Sequence, residues 1–127
     1  MILTLHTETP AKKNSRITLP NGRTIPSKRY RQWHGESKTE IELQMMCKRG
    51  EQMKIPIDYP VKISIGFTHG DLKRRDSDNS VSSILDLLQD CGILADDNWQ
   101  IVREINVRNQ YMKNEAGAVI EIEPIKE

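Results

Sequence analysis

The chain has 127 residues, 29% of them charged and 36% hydrophobic, with a formal net charge of +1. That length suits one domain, residues 1–127, able to bury a core without disulfide or metal staples, and the composition is that of an ordinary soluble globular protein. A net charge this close to zero excludes any argument for nucleic acid from bulk charge, so such an argument rests on where the cations sit.

No apolar run approaches the ~18 residues a membrane span requires, and Met1–His6 lacks the basic start and long apolar segment of a signal peptide. Cys47 and Cys91 form no CxxC motif and have no histidine at ligand spacing. Both are expected to be buried, reduced thiols, in keeping with a cytoplasmic protein.

Leu3 and Leu5 alternate with Thr4 and His6, which predicts a short first strand. A polar loop follows with Lys12, Lys13 and Arg16. It reads either as a solvated loop or as an arm that neutralises backbone phosphates. Ile17 to Ile25 reads as a small hairpin turning at Pro20-Asn21-Gly22, because Asn-Gly tolerates the positive φ of tight turns. Ser27 is a fitting cap for a helix that runs to about Lys48 and ends by Gly50, with Tyr30, Trp33, Ser37, Ile41 and Met45 at steps of three and four. Its first turn carries Lys28, Arg29 and Arg31, the wrong sign for the helix dipole, which suits an anionic partner as well as a solvated face. Tyr30 and Trp33 are read as core residues rather than as platforms for bases.

The clearest pattern is Val61, Ile63, Ile65 and Phe67 alternating with Lys62, Ser64 and Gly66, a strand with one buried face. A second helix is expected from about Asp78, with Val81, Ile84, Leu85, Leu88 and Cys91 on its apolar face and Gly92 at the left-handed stop. A third main strand is expected over Trp99 to Val107, then a polar loop from Asn109 to Gly117, then a strand bearing Ala118, Ile120 and Ile122. The last two strands read as a hairpin. The predicted fold is α/β with α+β character: a mixed four-stranded sheet, two helices packed on it, and a small N-terminal hairpin.

At the join of the central strand and the second helix stands Lys73-Arg74-Arg75-Asp76-Ser77-Asp78-Asn79. Three cations beside two carboxylates suggest a site for a divalent metal and a phosphate. Residues two apart point the same way on extended chain but not on a helix. Chelation by both Asp76 and Asp78 therefore places them on the last extended residues, although Asp78 also reads as a helix cap. Asp96-Asp97 follows the helix, and Asp97 is expected to return close to Asp76 and Asp78 if the flanking strands are neighbours. Clustered carboxylates repel and need a cation, and oxygen donors without Cys or His suit magnesium or manganese. Counting from Asp76, the sixth position is Val81, where a calcium-binding helix–loop–helix needs glycine. Phosphate-binding glycine loops are absent. His69 reads as a turn residue close enough in sequence to line the site.

Arg74-Arg75-Asp76-Ser77-Asp78-Asn79, a helix, and then Gly92-Ile93-Leu94-Ala95-Asp96-Asp97 resemble the RusA-type Holliday-junction resolvases. That family carries arginines followed by Asp-x-Asp-Asn, then, after a helix, an Asp-Asp pair at the interval seen here between Asp78 and Asp97. The segment around Pro10 and Asn14, with Arg16 beyond, resembles the family's early Pro/Asn-rich stretch. The likeness spans nearly the whole chain and is loosest in its N-terminal third.

The resemblance implies a RusA-like fold and a homodimeric, magnesium-dependent endodeoxyribonuclease. Such an enzyme cuts branched, four-way DNA by paired symmetric nicks in recombination and repair. By position, Asp76, Asp78 and Asp97 match the catalytic, metal-binding aspartates, and Asp96 matches the first residue of the acidic pair. Lys73, Arg74 and Arg75 are read as holding DNA phosphates, with Lys12, Lys13, Asn14 and Arg16 in the early segment. One residue departs from the pattern: Ser82 stands where the family has a functional lysine. Either Lys73, Arg74 or Arg75 replaces that cation, or cleavage is weakened. Two further readings stay open, a non-catalytic DNA-binding protein and an unrelated domain whose acidic residues are caps and solvated turns.

Overall fold

The computed structural model describes residues 1–11, 16–48 and 53–126. Lys12, Lys13, Asn14 and Gly50 lie outside the described residues. The elements are β1 (Ile2–Leu5), β2 (Arg16–Thr18), β3 (Thr24–Pro26), α1 (Lys28–Cys47), β4 (Val61–His69), α2 (Ser77–Asp90), β5 (Val102–Tyr111) and β6 (Gly117–Pro124). They form a mixed four-stranded sheet in the order β1-β6-β4-β5 and a separate two-stranded sheet of β2 and β3.

Apolar alternation dictates the layers. Val61, Ile63, Ile65 and Phe67 of β4 and Ala118, Ile120 and Ile122 of β6 are all buried. They share one core with Tyr30, Trp33 and Ile41 of α1 and Ile84, Leu87 and Leu88 of α2. Tyr30 and Trp33 are thus core residues, as their helical spacing predicts. The Ser27 hydroxyl accepts from the Tyr30 N–H at 3.2 Å and caps α1. Gly92, at φ 74°, ends the turn after α2, where the Ile93 and Leu94 N–H groups both reach Leu88 O.

The two ends of the sheet differ. At the β1 edge, Gln44 of α1 imitates a strand: its Oε1 accepts from Thr4 N at 2.8 Å and its Nε2 donates to Thr4 O at 2.7 Å. That satisfies the outward backbone of Thr4 at this edge. Among the described residues no strand covers the outer side of β5, where Ile105 and Tyr111 are exposed.

Three expectations need correction. First, the last two strands are not a hairpin. β4 lies between them, parallel to β5 and antiparallel to β6. The 112–116 loop crosses the end of β4 instead, with Met112 N donating to His69 O and Asn114 N to Gly70 O. Two strand spacings are roughly 10 Å, well within the reach of five residues at about 3.3 Å each. The sheet is mixed because of this crossing.

Second, the third strand starts at Val102, not Trp99, and continues to Tyr111. The Asn98 side chain accepts from Gln100 N and Ile101 N and holds residues 98–101 in a turn. Trp99 is left exposed, with the Arg103 guanidinium 5.5 Å from its ring. Third, Cys47 is exposed, because it falls on the outer face of the last turn of α1. Cys91 is half-buried, and burial pushes its thiol up to about 11.

Glycine is necessary where two backbones approach closely. A Cβ on Gly117 would collide with the Leu5 carbonyl oxygen across the β1–β6 ladder. Gly66, on the open face of β4, has nothing within 4 Å of such a Cβ. Gly117→Ala is expected to lose about 1–3 kcal/mol by overpacking against backbone. Gly66→Ala should be neutral or slightly stabilising. Thermal denaturation of the two variants beside the parent checks both.

Candidate functional site

β4 and β5 are parallel, so both end at the same edge of the sheet. β1 also ends there, since Leu5 pairs with Ala118 at the start of β6. Residues 6–11, 70–76 and the N-terminus of α2 therefore meet beyond the carboxyl ends of the parallel strands, the usual place for a site in such a sheet.

A chain of hydrogen bonds organises this end. The Glu8 carboxylate accepts from Arg75 Nε at 3.1 Å and from His69 Nδ1 at 3.0 Å. The His69 Nε2 pairs with the Asn109 amide oxygen at 2.8 Å, and Asn109 Nδ2 donates to Ser77 Oγ at 3.1 Å. On the other side, Asp71 Oδ1 accepts from Arg75 Nη1 at 2.8 Å and from Lys73 N at 3.0 Å. The Arg75 bond and the Lys73 N–H hold the Asp71 carboxyl down at about 2. These contacts brace the turn between β4 and α2 and line a cleft of about 410 Å³. Ser83, buried in α2, donates to Pro10 O at 2.6 Å and anchors the 8–11 segment alongside.

The aspartates sit at this braced turn. Asp76 holds the cap position of α2 in extended conformation, but its side chain makes no capping bond. Its carboxylate is half-exposed, with Arg74 Nε 3.8 Å away. Asp78 is the second residue of the helix rather than the last extended one or the cap. It is exposed and suits the positive end of the dipole. Asp76 and Asp78 thus flank the first turn of α2.

Asp97 does not return to them within one chain. β4 and β5 are neighbours, as the sequence reading required. The helix between them, however, runs back along the sheet for 14 residues, roughly 20 Å at a helical rise of about 1.5 Å. The Asp96-Asp97 turn lies at the opposite end, next to the Ile57–Leu94 bridge and the start of β4, where Val61 N donates to Ile101 O. Asn98 Nδ2 and the Asp97 N–H hold the Asp96 carboxyl below its ordinary range. Among the described residues, no group of three or more His, Cys, Asp or Glu side chains is placed to hold a metal.

Of the predicted phosphate contacts, Lys73 and Arg74 are exposed at the braced turn. Arg75 is committed to Glu8 and Asp71 and is mostly buried. It therefore braces the turn and is a poor substitute for the cation missing at Ser82. Arg16 is exposed on β2, in the separate hairpin sheet.

The family model for endodeoxyribonuclease RusA matches residues 8–123. The chain belongs to the RusA endodeoxyribonuclease family. It is also 25% identical over 118 residues to the crossover junction endodeoxyribonuclease RusA of Aquifex aeolicus (strain VF5), which covers 92% of this chain and 86% of that protein.

In this RusA-family chain the motif residues are joined by others that sequence reasoning did not single out. Glu8, Asp71 and Asn109 carry no motif, and their signal is a partner far away in sequence. His69 reads as a turn residue in the sequence but is the last residue of β4, with both ring nitrogens engaged.

Replacing Arg75 tests this bracing. Asp71 has a depressed pKa, so its pairing contributes stability above the ordinary value of 3.8 and loses it as pH falls through about 2. In Arg75→Gln, carboxyl NMR should show Asp71 titrating back toward 3.8. An Asp71 titration that stays near 2 would assign the shift to the Lys73 N–H alone.

Proposed function

We propose that this protein is a magnesium-dependent, structure-selective endodeoxyribonuclease that resolves four-way DNA junctions by paired nicks and works as a homodimer in the cytoplasm. The observation that carries this reading is the turn from Lys73 to Asp78. There, two carboxylates whose side chains make no capping bond stand at a helix N-terminus beside the exposed cations Lys73 and Arg74, in a chain of the RusA family. No helix among the described residues is long and apolar enough to cross a membrane.

The donor chemistry fits magnesium, with manganese the alternative. Asp76 and Asp78 offer hard oxygens that no strong ion pair consumes, since the Arg74 contact of Asp76 is long and exposed. When bound, such a metal supplies charge stabilisation at the phosphate and a more acidic water. The chain's own residues bind and orient. Lys73 and Arg74 hold the phosphate, and the Glu8–Arg75–Asp71 brace keeps the turn in one conformation.

Two carboxylates are few for the metal, and the third candidate lies at the other end of the same sheet. We infer that Asp97, with Asp96 beside it, completes the site of a second copy. A four-way junction is close to two-fold symmetric, and a two-fold dimer presents each chain's Asp97 end to its partner's Asp76 end. Paired nicks then follow from paired sites. The second reading, a DNA-binding protein without cleavage, is favoured by Ser82, which supplies no cation one turn into α2. The same experiment separates the two.

Wild-type protein with magnesium should nick a synthetic four-way junction, and Asp78→Asn and Asp97→Asn should each lose at least ~100-fold in rate while still binding it. Mixing the two inactive variants and allowing subunit exchange should restore nicking, because one site of the mixed dimer is then wholly wild type. A mixture that stays inactive while wild type cuts would place Asp97 outside a shared site. Wild type that binds the junction but never cuts it, with either metal, would leave the binding-protein reading.

A further inference from the structure

A second cleft, of about 240 Å³, opens on the other side of the Lys73–Arg75 run. Thr9, Pro10 and Ala11 form one wall, Arg29 of α1 another, and Lys73, Arg74, Arg75 and Ser80 the third. All of its charged lining is cationic. Arg75 is neutralised by Glu8 and Asp71, which leaves Arg29, Lys73 and Arg74 around one small space. Neither Arg29 nor Lys73 makes an ion pair among the described residues. Like charges gathered this closely repel and call for an anion.

Two independent features point the same way. Thr9 is 2% exposed, and its hydroxyl has no hydrogen-bond partner among the described residues. A buried polar group without a partner costs about 1–3 kcal/mol, and a ligand oxygen would satisfy it. Arg29 lies in the first turn of α1, which carries no acidic residue. That is an unfavourable place for a cation, and it is offset when an anion sits between the cation and the helix end.

We propose that this cleft seats a phosphodiester of the DNA backbone, held by Arg29 and the Thr9 hydroxyl together with Lys73 and Arg74. The proposal rests on the DNA-cutting reading above and adds α1 to the nucleic-acid surface. The seat lies beside Ser80, in the first turns of α2, so the strand gripped there passes close to Asp76 and Asp78. Arg29 thereby becomes a positioning residue for the strand to be cut, and it stands on a rigid helix rather than on the 73–75 turn.

The test measures binding of a labelled four-way junction, without cleavage, over a series of salt concentrations. Lys48→Gln is the control for general loss of charge. Lys48 is the C-cap of α1, one turn beyond Gln44 at the β1 edge of the sheet and across the sheet from β5. One phosphate contact contributes about 0.9 to the slope of log K against log salt. Arg29→Gln should lower that slope by ~0.9 and weaken binding roughly tenfold at ~0.1 M salt. Thr9→Val should weaken binding with the slope unchanged, and it should melt no lower than wild type, since it removes an unpartnered hydroxyl. If Arg29→Gln and Thr9→Val both behave like Lys48→Gln while wild type binds tightly, the seat is overturned and the DNA-cutting reading stands. If wild type fails to bind branched DNA at all, both fall.

Discussion

The working end of this protein depends on where the Glu8 carboxylate goes. It is largely buried, and a charge taken out of water must be paired. Its partners are Arg75 and His69, which belong to the turn after β4 and to the end of β4 itself. One carboxylate from the N-terminal segment therefore fixes two elements that lie some sixty residues further along the chain. Arg75 passes the constraint to Asp71, and His69 passes it to Asn109 and so to Ser77 at the start of α2. Lys73, Arg74, Asp76 and Asp78 are displayed from a turn whose conformation is set behind them. This division of labour explains why three consecutive cations behave differently: two face solvent and one is structural.

Much of this was legible in the chain. The alternation from Val61 to Phe67 gave the central strand, the serine before Lys28 gave a cap, and Gly92 gave a stop, because each is a local rule acting on neighbours. The motif from Arg74 to Asn79, with Asp96-Asp97 at its interval after the helix, was enough for the family. What local rules do not contain is pairing order. The apolar residues of β5 and β6 alternate alike whether the strands pair with each other or with β4, so the hairpin was the simple expectation and the crossing was hidden. Trp99 misled for a related reason. Its spacing fits a strand, but Asn98 satisfies the next backbone donors first and delays the strand to Val102. Glu8, Asp71 and Asn109 were invisible as site residues because a salt bridge between distant segments leaves no mark on composition or spacing.

The position of Asp97 shows how a correct rule can yield a wrong neighbourhood. Neighbouring parallel strands were expected and found. A parallel crossover, however, returns the chain to the starting end of the sheet, so residues before α2 and residues after it sit at opposite ends by necessity. The acidic pairs are separated by the geometry of the crossover, whatever the length of the loops. A metal site drawing on both is then a property of an assembly, and mutations at either end would act on it from surfaces that do not touch within one chain.

Gln44 has a consequence beyond local hydrogen bonding. By occupying the outward backbone of Thr4 it hinders strand addition at β1, whereas among the described residues nothing comparable occupies the β5 edge. A sheet with two free edges can add neighbours indefinitely and grow into a fibre. A single glutamine thus opposes strand addition at Thr4, and edge-to-edge growth on that side of the sheet is disfavoured.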